Sequence, residues 1–405
     1  MIYMLDETES RPRIVVVGVG GAGTNAVESM EVAGLNGVEY VAINTDLQSL
    51  NTCRTERTLH IGAKVSQGLG TGANPLLGEQ AAEEDRAAIA ETLEGADLVF
   101  ITCGLGGGTG TGASPVIADV AREMGALVVA LCTKPFDFEG SVRHRIAERG
   151  QRELREKVDT LITIPNQRLL SLVDERTTLV DAFKISDRML MQCVQAIADL
   201  ITKPGQINAD FADIRAIMNQ QGGAVMGVGH GEGPDRALIA FQQASSNPLM
   251  EEVVIEGAKG ILINVTSGYD VTLHELNRAI EDHVHPKADP DANIIFGVVL
   301  EEGLENRMQV TILATGFDRP SRGTEKEISE RPREESRPYA NDDTGFERPA
   351  WMSKAEKARM TEDSQESQME AAMAVPEKEP PREYRSSRGR RAAEVLPAIF
   401  GAGGV

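Results

Sequence analysis

Two glycine-rich runs constrain this chain more than any other feature. "VVVGVGGAGTNAV" (15–27) and "FITCGLGGGTGTGASPV" (100–116) each open as an apolar run and close as a helix-patterned segment. An apolar run with no alternation marks a strand buried on both faces, as in a parallel sheet. A flexible linker does not stand between a buried strand and a patterned helix. Both runs are therefore strand-to-helix turns. The second holds six glycines from Cys103 to Ser114 and neither lysine nor arginine.

The same alternation extends along the chain from Arg13. Strands are expected at "RIVVVGV", "VEYVAINT", "ADLVFITCG", "ALVVALCT" and "VDTLITIP". Helices are expected between them, one of them spanning all of "NPLLGEQAAEEDRAAIAETL". Strands alternating with helices mean a doubly wound parallel sheet. A long helix follows over 178–202, with apolar residues at 179, 180, 183, 190, 194, 197 and 201, and "KPG" stops it. Beyond it, strands at "GAVMGVG", "GILINVTS", "NIIFGVVLE" and "MQVTILATG" predict a smaller α+β domain with a mixed sheet. The expected organisation is a flexible N-terminus (1–12), a nucleotide-binding α/β domain (13–177), a central helix (178–202), a second domain (203–316) and a tail (317–405). The tail is rich in Pro, Arg, Glu and Ser and too poor in apolar residues to offset its conformational entropy, so disorder is expected there.

Charge and composition exclude several classes. The net charge is −21, and the last 89 residues carry 16 basic and 18 acidic side chains, so nearly all of it lies on residues 1–316. Bulk binding of nucleic acid is excluded on that ground, and no specific nucleic-acid partner is expected. Four cysteines, scattered and without a C-x-x-C pair, fit a reduced cytosolic chain and neither a disulfide scaffold nor a zinc site. No signal peptide and no stretch of about 18 apolar residues is seen, so a membrane role is expected to pass through a partner.

Glycine lets a backbone approach a phosphate, and the following helix offers free N–H groups and the positive end of its dipole. Gly18, Gly20 and Gly23 fit G-x-G-x-x-G, and Asp46 ends the next strand, which is the dinucleotide fingerprint. Taken alone, that run fits a Rossmann dehydrogenase, an ordinary tight turn or another nucleotide site. The second run adds a second cradle, with hydroxyls from Thr109 and Thr111. Two cradles on one sheet can grip a longer phosphate chain without lysine, with Mg²⁺ neutralising the remaining charge. No G-x-x-x-x-G-K-[ST] occurs, so the chain is not a P-loop NTPase. A third run, "QGLGTGANP", also precedes a helix. It either closes over a terminal phosphate or is a surface turn.

"GGGTGTG" resembles the signature loop of the tubulin and FtsZ superfamily. "NTDLQSL" (44–50), "GLGTGANP" (68–75), "TKPFDFEG" (133–140), "TIPNQRLL" (163–170), "DAF" (181–183) and "NADFADI" (208–214) are similar in order and spacing to the bacterial FtsZ family of cell-division GTPases. The resemblance covers about 11–316, and "KPFDFEG" with the threonine of the signature loop favours FtsZ over eukaryotic tubulin. It implies that Gly20, Gly21, Ala22, Gly23, Thr24 and Asn25 line the first phosphate loop of a GTP site, and that Gly107, Gly108, Thr109 and Gly110 cradle the phosphates. Glu139 and Arg143 then hold the ribose region, and Asn166 and Asp187 read the guanine edge. A carboxylate facing N1–H and the 2-amino group accepts donors that adenine lacks. Phe183 either stacks on the base or is a core residue. Asn208, Asp210 and Asp213 match the catalytic loop that family members insert into the next subunit's site. Asp210 and Asp213 also suit a plain helix N-cap.

The resemblance further implies a GTPase completed by head-to-tail polymerisation, located in the cytoplasm at the midcell division ring. Divisome and membrane-tether partners would dock on the tail, through "FERPAWMSK" (346–354) or "EVLPAIFGAGGV" (394–405). The first departs from the family's D-I-P-x-F-L ending, the second matches it poorly, and either island is otherwise incidental. The basic run Arg382, Arg385, Arg388, Arg390 and Arg391 reads as a solvated stretch or as a contact for anionic lipid or nucleic acid. In the first loop, Ala22 stands where glycine is frequent and is tolerated if its φ is negative. Two other functions remain open: a filament protein that binds nucleotide with weak hydrolysis, and a nicotinamide-dependent oxidoreductase in which the second glycine loop has no role.

Overall fold

A computed structural model of the chain describes residues 12–170, 174, 176–203, 210–219, 223–246 and 257–317. Asn208, both tail islands and the basic run lie outside them. The strands are β1 (Ile14–Val19), β2 (Val38–Asn44), β3 (Thr58–His60), β4 (Leu98–Gly104), β5 (Leu127–Lys134), β6 (Thr160–Pro165), β7 (Gly223–Glu232), β8 (Gly260–Ser267), β9 (Asn293–Leu300) and β10 (Arg307–Thr315). They form one sheet in the order β3-β2-β1-β4-β5-β6-β7-β10-β8-β9. The first six are parallel. β10 runs antiparallel to β7 and β8, while β9 is parallel to β8, which makes the second half mixed. Across the sheet, the described residues pair the halves at Leu161–Gly223 and Ile162–Ala224.

The helices are α1 (Gly20–Ala33), α2 (Leu47–Thr52), α3 (Ala63–Ser66), α4 (Pro75–Glu84), α5 (Arg86–Leu93), α6 (Thr109–Glu123), α7 (Ser141–Lys157), α8 (Asn166–Leu169), α9 (Leu179–Thr202), α10 (Phe211–Met218), α11 (Arg236–Ser245) and α12 (Leu273–His283). Side chains alternate across a strand. Val15, Val17 and Val19 pack with α4 to α7, while Ile14 and Val16 pack with α1, α9 and α10. With both faces covered, the inner parallel strands β1, β4 and β5 are buried along nearly their whole length and are mostly apolar. A third cluster, around Phe241, Ile263 and Val310, holds the second half together.

Two expectations need correction. The helix expected over 74–93 is two helices, α4 and α5, broken at Asp85 (φ −109°, ψ 24°), whose carboxylate accepts the Gly62 N–H at 2.6 Å. α9 matches the expected span, capped by the Thr178 hydroxyl accepting the Asp181 N–H. Its first apolar residues are not core, however: Leu179, Val180 and Phe183 are exposed, and burial by the sheet is concentrated from Leu190 onward. Two of the scattered cysteines also meet. Cys103 and Cys132 are register partners on β4 and β5, buried, with sulfurs 3.3 Å apart as free thiols.

Candidate functional site

β1 lies between β2 and β4, so the chain leaves it in one direction toward β3 and later returns to build β4, β5 and β6 on its other side. Ligands of doubly wound sheets bind at such a switch point, outside the carboxyl ends of the strands. Both glycine runs lie there. The first is the opening turn of α1 and the second leads into α6. Neither helix has a side-chain cap or an acidic residue in its first turn. Their first N–H groups have no carbonyl within the helix and face the ligand side, a ready anion site.

Glycine is required where the cradles touch. Gly20 has φ +70°, and a Cβ there would stand 2.8 Å from the Gly110 nitrogen. A Cβ on Gly108 would collide with the Thr71 hydroxyl and stand 2.8 Å from the Asn74 nitrogen. Gly21 and Gly107, by contrast, have nothing within 4 Å of such a Cβ, so they face open space. Ala22 lies within α1 and is not among the positive-φ residues, so alanine is accommodated. Gly23 and Thr24 are buried. Gly23 packs against the Thr102 carbonyl, and the Thr24 hydroxyl donates to the Gly21 carbonyl at 3.0 Å. Their side-chain positions thus serve the helix, and Gly21, Ala22 and Asn25 form its exposed rim.

Three loops converge on Thr109. Its hydroxyl hydrogen-bonds that of Thr45 at 2.6 Å and that of Thr71 at 3.3 Å, all three residues being buried. The third glycine run is pinned to the β2–α2 turn by Leu47 N–H to the Gly68 carbonyl and Gly70 N–H to the Thr45 carbonyl. Thr45 and Thr71 are site residues that the sequence reading missed. The only signal for Thr45 was its place at the end of β2, which gains meaning once β2 is known to neighbour β1. Asp46, the acid of the dehydrogenase reading, is occupied otherwise: it caps α2, accepting the Gln48 N–H at 2.9 Å.

Beside the cradle lies a cavity of about 230 Å³ lined by residues from Ala22 and Gly104 through Glu139, Arg143 and Asn166 to Phe183 and Asp187. Glu139 accepts the Phe136 N–H at 2.8 Å and pairs with Arg143 at 3.1 Å. Phe183, Ser186, Asp187 and Leu190 reach the cavity from one face of α9, at the i, i+3, i+4, i+7 spacing of a helix. Phe183 is 41% exposed and stands edge-on to Phe136, with ring centroids 5.5 Å apart. Burial pushes the Asp187 carboxyl up to about 6. Among the described residues no group of three His, Cys, Asp or Glu side chains could hold a metal alone. The oxygens nearest the cradle are threonine hydroxyls, hard neutral donors that suit a Mg²⁺ ion carried by a nucleotide's own phosphates.

Asp210 and Asp213 lie elsewhere. α10 is held at the amino ends of the strands: Thr160, first residue of β6, donates to the Met218 carbonyl at 2.5 Å, and Arg215 donates to the Gly125 carbonyl, just past α6, at 2.9 Å. The cradle occupies the other end of α6, whose 15 residues span about 22 Å. Asp210 caps α10 by accepting the Asp213 N–H at 2.7 Å, and both residues are exposed.

A doubly wound sheet with two uncapped, glycine-lined helix starts at its switch point, a base-sized cavity beside them and no P-loop defines a nucleotide-binding protein of the tubulin-like class. Comparison with known proteins agrees. The GTPase domain of the Tubulin/FtsZ family matches residues 13–174, and the C-terminal domain of the FtsZ family matches 222–318. The cell division protein FtsZ of Caulobacter vibrioides is 50% identical over 311 residues, 77% of this chain and 61% of that protein. FtsZ of Magnetospirillum gryphiswaldense is 48% identical over 307 residues, 76% of this chain and 54% of its own length. This chain therefore spans less than two thirds of these curated relatives. A solved FtsZ dimer from M. jannaschii is 42% identical, with a TM-score of 0.72 over 76% of this chain and 89% of that one. The chain belongs to the FtsZ family.

Proposed function

We propose that this chain is a GTPase that assembles head to tail and completes its active site only by assembling. The observation that carries this reading is the separation of the two halves of the site. The cradle opens at the carboxyl edge of the sheet, and the helix bearing Asp210 and Asp213 is fixed at the amino edge, so one copy cannot bring its own carboxylates to its own cradle. A second copy stacked in the same orientation can. Such a contact is heterologous, and repeated without closure it makes a filament. The solved FtsZ dimer from M. jannaschii supports self-association in the family.

In this reading the N–H groups at the starts of α1 and α6 hold the phosphates, and the Thr109 hydroxyl cluster anchors the loop over the terminal one. Mg²⁺ supplies neutralisation of the phosphate charge when bound. Glu139 and Arg143 flank the ribose, Phe183 covers the base, and Asn166 and Asp187 read guanine. Asp210, Asp213 and Asn208 of the neighbouring copy orient and polarise the attacking water. In this reading the GTP-binding domain is 13–177, the helix over 178–202 joins it to the second domain (203–316), and the catalytic loop belongs to the second domain. The proposed setting is the cytoplasm, at the midcell division ring. Tethers and divisome proteins would dock on 346–354 or 394–405. No described helix is long and apolar enough to cross a membrane.

The test is phosphate release as a function of protein concentration, with light scattering in parallel. Turnover per molecule should rise with concentration and coincide with scattering after GTP and Mg²⁺ are added. A constant rate with no polymer overturns the proposal.

A further inference from the structure

Asn166 and Ser186 are both buried, 5% and 3% exposed, and both line the cavity beside the cradle. The Ser186 hydroxyl donates to Asn166 Oδ1 at 3.0 Å. Among the described residues Ser186 is the hydrogen-bond partner of the Asn166 side chain. An asparagine amide has an acceptor end and a donor end, and nothing in its shape says which end faces a ligand. Here the acceptor end is occupied by a hydroxyl on α9, so the Nδ2 donor end remains for a ligand.

We infer that Ser186 is a specificity-determining positioning residue, which sets the Asn166 amide so that it presents a donor, and not an acceptor, to the 6-position of a purine. This rests on the GTP reading above. A 6-oxo purine offers an acceptor there, while adenine offers a 6-amino donor that would meet the Nδ2 hydrogens head-on. Ser186 is one residue before Asp187 on the same helix, so α9 orients both readers of the base edge: the amide for the 6-oxo group, the carboxylate for N1–H and the 2-amino group. Without the hydroxyl, the amide is free to turn over and the buried Oδ1 loses its donor.

The experiment compares GTP, ITP and ATP as competitors of a fluorescent GTP analogue, using the full chain below its assembly concentration. ITP keeps the 6-oxo group and lacks the 2-amino group, so it isolates the contact in question. Ser186→Ala should weaken GTP and ITP equally, by about tenfold, the effect of one hydrogen bond and a released buried acceptor. ATP should be unchanged or improved. In an Asn166→Ala background the same change should add no further loss, because the two residues act as one unit. Equal weakening of all three nucleotides, an undiminished preference for GTP, or additive losses in the double variant would each overturn the inference. A wild-type chain with no preference for GTP over ATP would instead sink the GTP reading itself. Circular dichroism of Ser186→Ala should show the wild-type fold, with a lowered melting temperature because the buried Asn166 oxygen loses its donor.

Discussion

The carboxyl and amino edges of the parallel sheet are built on opposite plans. At the carboxyl edge, the proposed cradle is built from backbone: two helix starts without side-chain caps, glycines where side chains would collide, and a buried knot of threonine hydroxyls. At the amino edge it is carried by exposed side chains at the start of a short helix. The first plan needs close packing and tolerates no added atoms where the cradles touch, at Gly20 and Gly108. The second needs only that α10 be held in place. Binding and catalysis should therefore fail separately and by different substitutions.

The largest effect is expected at Gly108. A Cβ there collides with Thr71 and crowds Asn74, so Gly108→Val should abolish nucleotide binding by calorimetry, with the fold retained by circular dichroism. Asp213→Ala should bind GTP as wild type does and lose turnover by about 10²–10⁴, the usual share of a group that assists proton transfer. Mixing these two variants tests the division between edges most directly. The Gly108 variant has the carboxylates, the Asp213 variant has the cradle, and together they should recover turnover that neither shows alone.

Smaller effects refine the comparison. Asp187 is ionised at neutral pH against the cost of its burial. Its folded pKa, about 6, lies above the ordinary carboxylate value, so the nucleotide-free fold is disfavoured by this group above about pH 6 and relieved as pH falls toward 4. Asp187→Asn should raise the melting temperature of the nucleotide-free chain at pH 7.5 while removing its preference for GTP. Wild-type affinity for GTP should fall as pH drops through 6. The smallest effect is expected for Arg215→Ala, which removes the hydrogen bond to Gly125 and the stacking on Phe211. Turnover should fall by roughly threefold to tenfold, the worth of about one hydrogen bond, with GTP binding unchanged.

Local pattern made much of the fold legible. Runs such as "RIVVVGV" are apolar at every position because both faces of the sheet are covered, and that demand is visible in the residues themselves. The span of α9 was legible from its periodicity, its Thr178 cap and "KPG", but the exposure of Leu179, Val180 and Phe183 was not. Periodicity reports which residues share a face, and only the surroundings say whether that face is covered. The break at Asp85 escaped notice because alanine-rich sequence on both sides favours helix, while the interruption depends on Gly62, more than 20 residues away.

The site divides the same way. Glycine positions, the absence of a P-loop lysine and the spacing of Asp210 and Asp213 are facts of the chain alone, and the first two are enough to expect a phosphate cradle made of backbone and helix ends. Strand order is not such a fact. Placing β1 between β2 and β4 is what joins Thr45, Thr71 and Thr109, while the pairing of β4 with β5 brings Cys103 against Cys132 and the packing of α9 on α8 sets Ser186 against Asn166. It also puts the cradle and the carboxylates at opposite edges of one sheet. That separation depends on the directions of packed elements, which no local pattern encodes, and it is the observation on which the proposal of a site completed by a second copy rests.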